Sequence, residues 1–185
     1  MALGATIYKA TIDVSDIDRG YYETRALTVA RHPSETEARM MLRILAYALY
    51  AGERVEFGRG ISTEDEAALW EINDAGDIGR WIEIGVPDTK TVRKAAGKSD
   101  DVVVLAYDQA RIEPWWASHK GDFSKIDKLS VRWISDEDLE RLAAMAKRNM
   151  KLAATIQDGI VWLADDTQNI EIHIESLMRR GEPVF

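Results

Sequence analysis

Cysteine is absent from this 185-residue chain, which removes disulfides, thiolate metal sites and cysteine nucleophiles together and suits a reducing compartment. Proline is scarce. The four prolines stand singly in loop-like contexts, so no proline-rich linker divides the chain. No run approaches the roughly 20 consecutive apolar residues of a membrane-spanning helix. The opening MALGATIYKATIDV lacks the basic segment and unbroken apolar stretch of a secretory signal. These lacks predict a cytoplasmic protein without membrane contact. Positive charge is also short: 32 acidic against 24 basic residues give a formal charge of -8. A whole-molecule field that would hold nucleic acid is therefore excluded, and any such contact must be local. There is no glycine-rich phosphate loop, G-x-S-x-G elbow or dinucleotide fingerprint, so nucleotide-dependent and triad chemistry lack a basis. His32, His119 and His173 lie far apart and form no helical ligand pair.

What is present is a 46% apolar composition, enough for one domain with a sizeable core, taken as residues 1–185. Residues 5–14 and 21–31 are rich in β-formers and flank the polar turn SDIDRG, predicting an N-terminal hairpin. In HPSETEARMMLRILAYALYAGE the period changes to helical, with Ser34 as N-cap, Glu37 in capping-box position and Gly52 as stop. Apolar residues cover most of that helix, which predicts burial on most sides. RVEFGR at 54–59 reads as a short strand. STEDEAALWEIND at 62–74 opens as a helical start before a loop, and it is the least clearly marked segment.

A strand at 80–85, a turn at 85–88, a basic helix from Thr89 to Gly97 and the apolar strand VVVLAY make a βαβ crossover, whose strands are parallel and central. Glu83 stands in that first strand between Ile82 and Ile84. A buried carboxylate there needs a partner, either a cation such as Lys94 or Arg80 or a backbone amide. Residues 111–128, with Trp115, Trp116 and several lysines, have no period and read as an extended connection. A strand LSVRWI, a helix opening at Ser135 and three C-terminal strands follow, with Asp158-Gly159 as a hairpin turn. The fold class is α/β (α+β), a mixed sheet with hairpins at both ends.

The blocks ATIYKATI, VARHPSETEARMMLRILAYAL, WIEIGVPD and ATIQDGIVWLADD together resemble the YaeQ family of bacterial proteins, nearly end to end. The resemblance implies a variant of the PD-(D/E)XK nuclease-like fold, with core order α-β-β-β-α-β over residues 34–107, and no established activity. It implies a divalent-metal-dependent nuclease or phosphodiesterase in which Asp74, Glu83 and Glu35 hold Mg²⁺ or Mn²⁺, hard cations that favour carboxylates. One departure stands out. The motif lysine, two residues after Glu83, is replaced by Gly85. In related nucleases that lysine relocates, and the following helix offers Lys94 and, after it, Lys90, both on one side.

Plainer readings compete. Asp74 lies in NDAGD, ordinary turn residues, and Glu35 and Glu37 suit a first helical turn, with Arg39 as the i+4 partner of Glu35. On those readings the fold is a non-catalytic binding module for a protein or nucleic-acid partner.

Overall fold

Alternation builds the first strand and the second half of the next. In β1, Thr6–Asp16, every second residue from Tyr8 is buried, and β2, Tyr21–Arg31, pairs with it antiparallel from Thr6↔Arg31 to Asp16↔Tyr21. The computed structural model describes residues 4–59 and 65–184. The buried Asp16 at the end of β1 is satisfied locally, accepting from the backbone N of Arg19 at 3.0 Å and from its Nε at 2.6 Å.

Helix α1, Glu37–Leu49, is buried continuously from Met40. Its N-cap is Thr36, which accepts from Arg39 N at 3.1 Å. The expected cap, Ser34, is instead bound through Oγ to His32 Nδ1 at 2.7 Å. Both residues have a capping hydroxyl, and only the path of the turn after Pro33 decides which one meets an orphan N–H.

Strands β3, Val55–Phe57, β4, Leu69–Ile72, and β5, Ile78–Ile84, form an antiparallel meander. Sequence reasoning placed a helical start and loop over part of this region. Residues 62–64 lie outside the described ones, and LWEI is a strand, secured by edge-on packing of Trp70 against Trp81 at 5.8 Å. Asp88 then caps α2, Thr89–Lys98, accepting from Thr91 N at 2.8 Å, and β6, Ser99–Ala106, returns parallel to β5. The predicted crossover is present.

The expected extended connection after β6 is a helix, α3, Gln109–Phe123, with Pro114 inside it. Ile112, Trp115, His119 and Phe123 recur at helical spacing, and the rings of the last three pack against one another with centroids 5.4–6.0 Å apart. A proline and a histidine in that stripe hid its period. The chain continues with β7, Leu129–Ile134, α4, Asp136–Ala143, β8, Asn149–Gln157, β9, Ile160–Ala164, β10, Asn169–Arg179, and β11, Glu182–Pro183. Asp158 and Gly159, with φ of 52° and 76°, join β8 to β9 as the two-residue turn the dipeptide predicts.

The described strands form one mixed sheet, ordered β2-β1-β8-β9-β10-β7-β6-β5-β4-β3, with β11 on β10. Helix α1 touches β1 and β2 at one end of this order and β4 and β5 near the other. The sheet therefore curls around α1. Ile82, Ile84, Val103 and Leu105 face α1 and its core, while Trp81, Val92, Val104, Trp115 and Phe123 form a second cluster on the opposite face.

Candidate functional site

Glu83 lies on β5, flanked by parallel β6, where it is paired with Val104, and near the end of the antiparallel pairing with β4. Period-2 alternation puts its neighbour but one, Trp81, on the same face. The Trp81 Nε1 donates to Glu83 Oε1 at 2.7 Å. That indole, rather than Lys94, Arg80 or a backbone amide, is its hydrogen-bond partner among the described residues; Arg80 is committed to Asp101 at 2.8 Å. Burial pushes the Glu83 carboxyl above its usual value, and the Trp81 hydrogen bond and the charge of Arg39 offset part of that rise.

The motif position two residues on explains its own departure. Gly85 has φ +119° and donates its N–H to Leu105 O at 3.0 Å. A lysine there would be forced into a conformation that side-chain-bearing residues avoid. Glycine is required by the turn out of β5, so no ammonium is supplied from that position.

Glu35 is buried, with 3% exposure, in the turn before α1. Arg43 grips it in bidentate fashion, Nε to Oε1 at 2.8 Å and Nη2 to Oε2 at 2.7 Å, and Arg39 Nη1 adds a third contact to Oε1 at 2.8 Å. The same Arg43 Nη2 donates to Ala30 O on β2 at 2.9 Å, and its guanidinium lies 5.7 Å from the Phe57 ring on β3. Arg43 thus bridges the two edge strands of the curled sheet. A single arginine within the apolar run MMLRILA was the legible signal for it, because a buried cation demands a buried anion.

Of the residues singled out from the sequence, Glu35 and Glu83 are linked only through Arg39, which binds Glu35 and whose charge is the smallest of the effects on the Glu83 carboxyl. The others are elsewhere. Asp74 sits at the β4–β5 hairpin tip, its side chain 93% exposed and bound to Arg54 at 2.7 Å. The five residue steps from Ile78 to Glu83 span roughly 17 Å of strand, so the hairpin tip does not bring Asp74 to Glu83. Lys94 is on the exposed flank of α2, paired with Asp65, a partner the sequence did not suggest. The Lys94 hydrogen bond and charge, with Lys98 behind them, pull the Asp65 carboxyl below its ordinary value. Lys90 is exposed in the first turn of α2, where its charge helps to lower the Asp88 carboxyl beneath the larger effect of the Thr91 backbone N–H. Among the described residues no group of three or more His, Asp or Glu side chains comes together in a way that could hold a metal ion.

The family model described as YaeQ protein matches residues 1–174. The chain belongs to the YaeQ family. It is 47% identical to the uncharacterized protein YaeQ of Salmonella typhi over 174 residues, covering 94% of this chain and 96% of that one. The Escherichia coli K12 counterpart is 45% identical over the same length. The crystal structure of a YaeQ protein from Xanthomonas axonopodis pv. citri superposes with TM-score 0.90 at 40% identity, covering 93% of this chain and 97% of that one. The structure of YaeQ from Pseudomonas syringae gives 0.91 at 34% identity, over 96% and 98%. The YaeQ relatives named here are described without an activity.

Proposed function

We propose that this YaeQ chain uses a nuclease-like fold as a non-catalytic binding module for a protein partner. The observation that carries this reading is Arg39. This guanidinium binds Glu35 Oε1 at 2.8 Å and has a minor charge effect on Glu83, while Arg43 takes the remaining oxygen of Glu35, so that Glu35 is closed to a divalent ion. The donor set does not fit Mg²⁺ or Mn²⁺, which require several oxygen ligands around one point. With the cations of the site consumed internally and a chain charge of -8, a protein surface suits it better than a phosphate backbone.

A second reading, a Mg²⁺- or Mn²⁺-dependent phosphodiesterase, is favoured by one feature: Glu83 is a desolvated carboxylate with a single hydrogen bond, on a strand within the element order α1-β3-β4-β5-α2-β6. It needs Lys94 or Lys90 to leave its present surroundings.

Calorimetric titration of Mg²⁺ and Mn²⁺ into the wild type and Glu83→Ala, followed by DNA and RNA cleavage assays, separates the two. The binding-module reading expects no saturable ion uptake at millimolar concentration and no cleavage. Ion binding lost in Glu83→Ala together with cleavage by the wild type would overturn it in favour of the second.

A further inference from the structure

Helix α3 buries Ile112, Trp115 and Phe123 against the sheet, and a neighbouring stripe of the same helix, Gln109, Ile112, Glu113, Trp116 and Lys120, recurs at three- and four-residue spacing and borders a cavity of about 610 Å³. The sheet supplies the facing wall. In β7, alternation puts Trp133 on the side of Leu129 and Val131, and the register shift of β10 between Ser176 and Met178 brings Leu177 to that side as well. The cavity is therefore bounded by one indole from the helix and one from the sheet. Trp116 has Trp115 as its ring neighbour, at 6.3 Å, and among the described residues Trp133 has none. The two indoles do not stack on each other, and each is left open to a third group. Both remain partly exposed, as aromatic anchors of recognition sites are.

The charges around the cavity are mostly of one sign. Glu113 is exposed on the helix side and has no ion pair or hydrogen bond among the described residues. Glu175 stands directly opposite Trp133 in the β10–β7 pairing, and Asp136 Oδ1 accepts from the backbone N of Gln109 at 3.0 Å. Lys120 is the cation of the lining, and it is itself engaged in an interaction. Three carboxylates against one lysine make an acidic rim, which repels the successive phosphates of a nucleic acid and attracts a cation. Indole is the ring whose face holds a cation best. A guanidinium answers both features at once, because it is planar enough to stack on an indole and donates in a fork to a carboxylate. A purely apolar side chain would cover the indoles and leave Glu113 without a partner.

We propose, resting on the binding-module reading above, that this cavity takes an arginine side chain presented by the protein partner. The guanidinium stacks on the indoles of Trp116 and Trp133 and donates to Glu113. Its methylene stem covers Ile112 and Leu177.

The test is titration of the full chain with Nα-acetylarginine amide in metal-free buffer, followed by heteronuclear NMR through the indole N–H signals, with Trp116→Phe and Trp133→Phe identifying the two that matter. We expect both signals to shift saturably at millimolar concentration while the other indoles stay in place. The neutral isostere Nα-acetylcitrulline amide should bind about fivefold more weakly or worse. Glu113→Gln, at an exposed position, should weaken arginine binding to the level of citrulline and leave the melting temperature unchanged. The assignment is overturned if the two signals do not move, if citrulline binds as well as arginine, or if Glu113→Gln binds arginine as well as wild type. Tighter binding of an oligothymidylate at the same two indoles would equally reject it. With no metal in the buffer, these failures strike the arginine pocket alone, whereas ion uptake with cleavage strikes the binding-module reading.

Discussion

At the scale of single residues, the Glu35–Arg43 pair is a stabilising clamp whose removal exposes its cost. Both side chains are almost fully buried, 1% and 2% exposed. Glu35→Ala leaves a buried guanidinium without its anion, and the expected loss is about 3–5 kcal/mol, measured by urea unfolding. A loss below about 1 kcal/mol, the size of an exposed pair, would refute the clamp. Glu83 behaves in the opposite sense. Its folded carboxyl is raised above 4.5, so the folded chain keeps a proton that the unfolded chain has released. Stability therefore falls as pH rises from 4.5 toward the folded value, and is unaffected by this group below both. Glu83→Gln retains an acceptor for Trp81 and abolishes the titration. Its melting temperature should gain on the wild type as pH rises above 4.5; a difference that does not change with pH would argue against a buried, desolvated carboxyl. Much of this was readable beforehand: Glu83 needed a partner, and Arg39 lay one turn from Glu35. That the partner of Glu83 would be the indole two positions back was not, because alternation says which side chains share a face but not which way an indole turns.

At the scale of elements, the exit from β5 decides what the motif position can hold. Gly85→Lys would restore the lysine of a nuclease motif, but at φ +119° it is expected to destabilise the fold by about 1–3 kcal/mol and to create no cleavage activity. Wild-type stability in that variant, by thermal melting, would count against the strain. Asp88→Ala removes the cap of α2 and should cost about 1 kcal/mol in the same assay, with Asp88→Asn nearly restoring it. Elements with strong local signals were legible: the two N-terminal strands, α1, the crossover and the Asp158-Gly159 hairpin. Two were not. The LWEI strand follows an acidic stretch that reads as a helix start, and only pairing with β5 makes it a strand. Helix α3 has its buried stripe broken by His119, and Pro114 argues against a helix from sequence, while docking on the β5–β6–β7 face stabilises one regardless.

At the scale of the whole molecule, α1 and α4 occupy one face of the sheet and α2 and α3 the other, so the two apolar clusters share the backbone of β5, β6 and β7. Unfolding one face exposes the other. Tryptophan fluorescence, dominated in the second cluster by Trp81 and Trp115, and far-ultraviolet circular dichroism should therefore report one coincident transition; two separated midpoints would mean that the faces unfold independently. The sequence by itself determined the mixed α/β character, the parallel crossover and the exclusion of thiol chemistry, because periodicity, turn residues and composition act locally. Only the tertiary structure decided the fate of the carboxylates. Whether Asp74 reaches Glu83, or whether Glu35 is open to a metal or closed by two arginines, depends on hairpin direction and on the curl of the sheet around α1. Those long-range relations arise from packing, and no spacing along the chain encodes them.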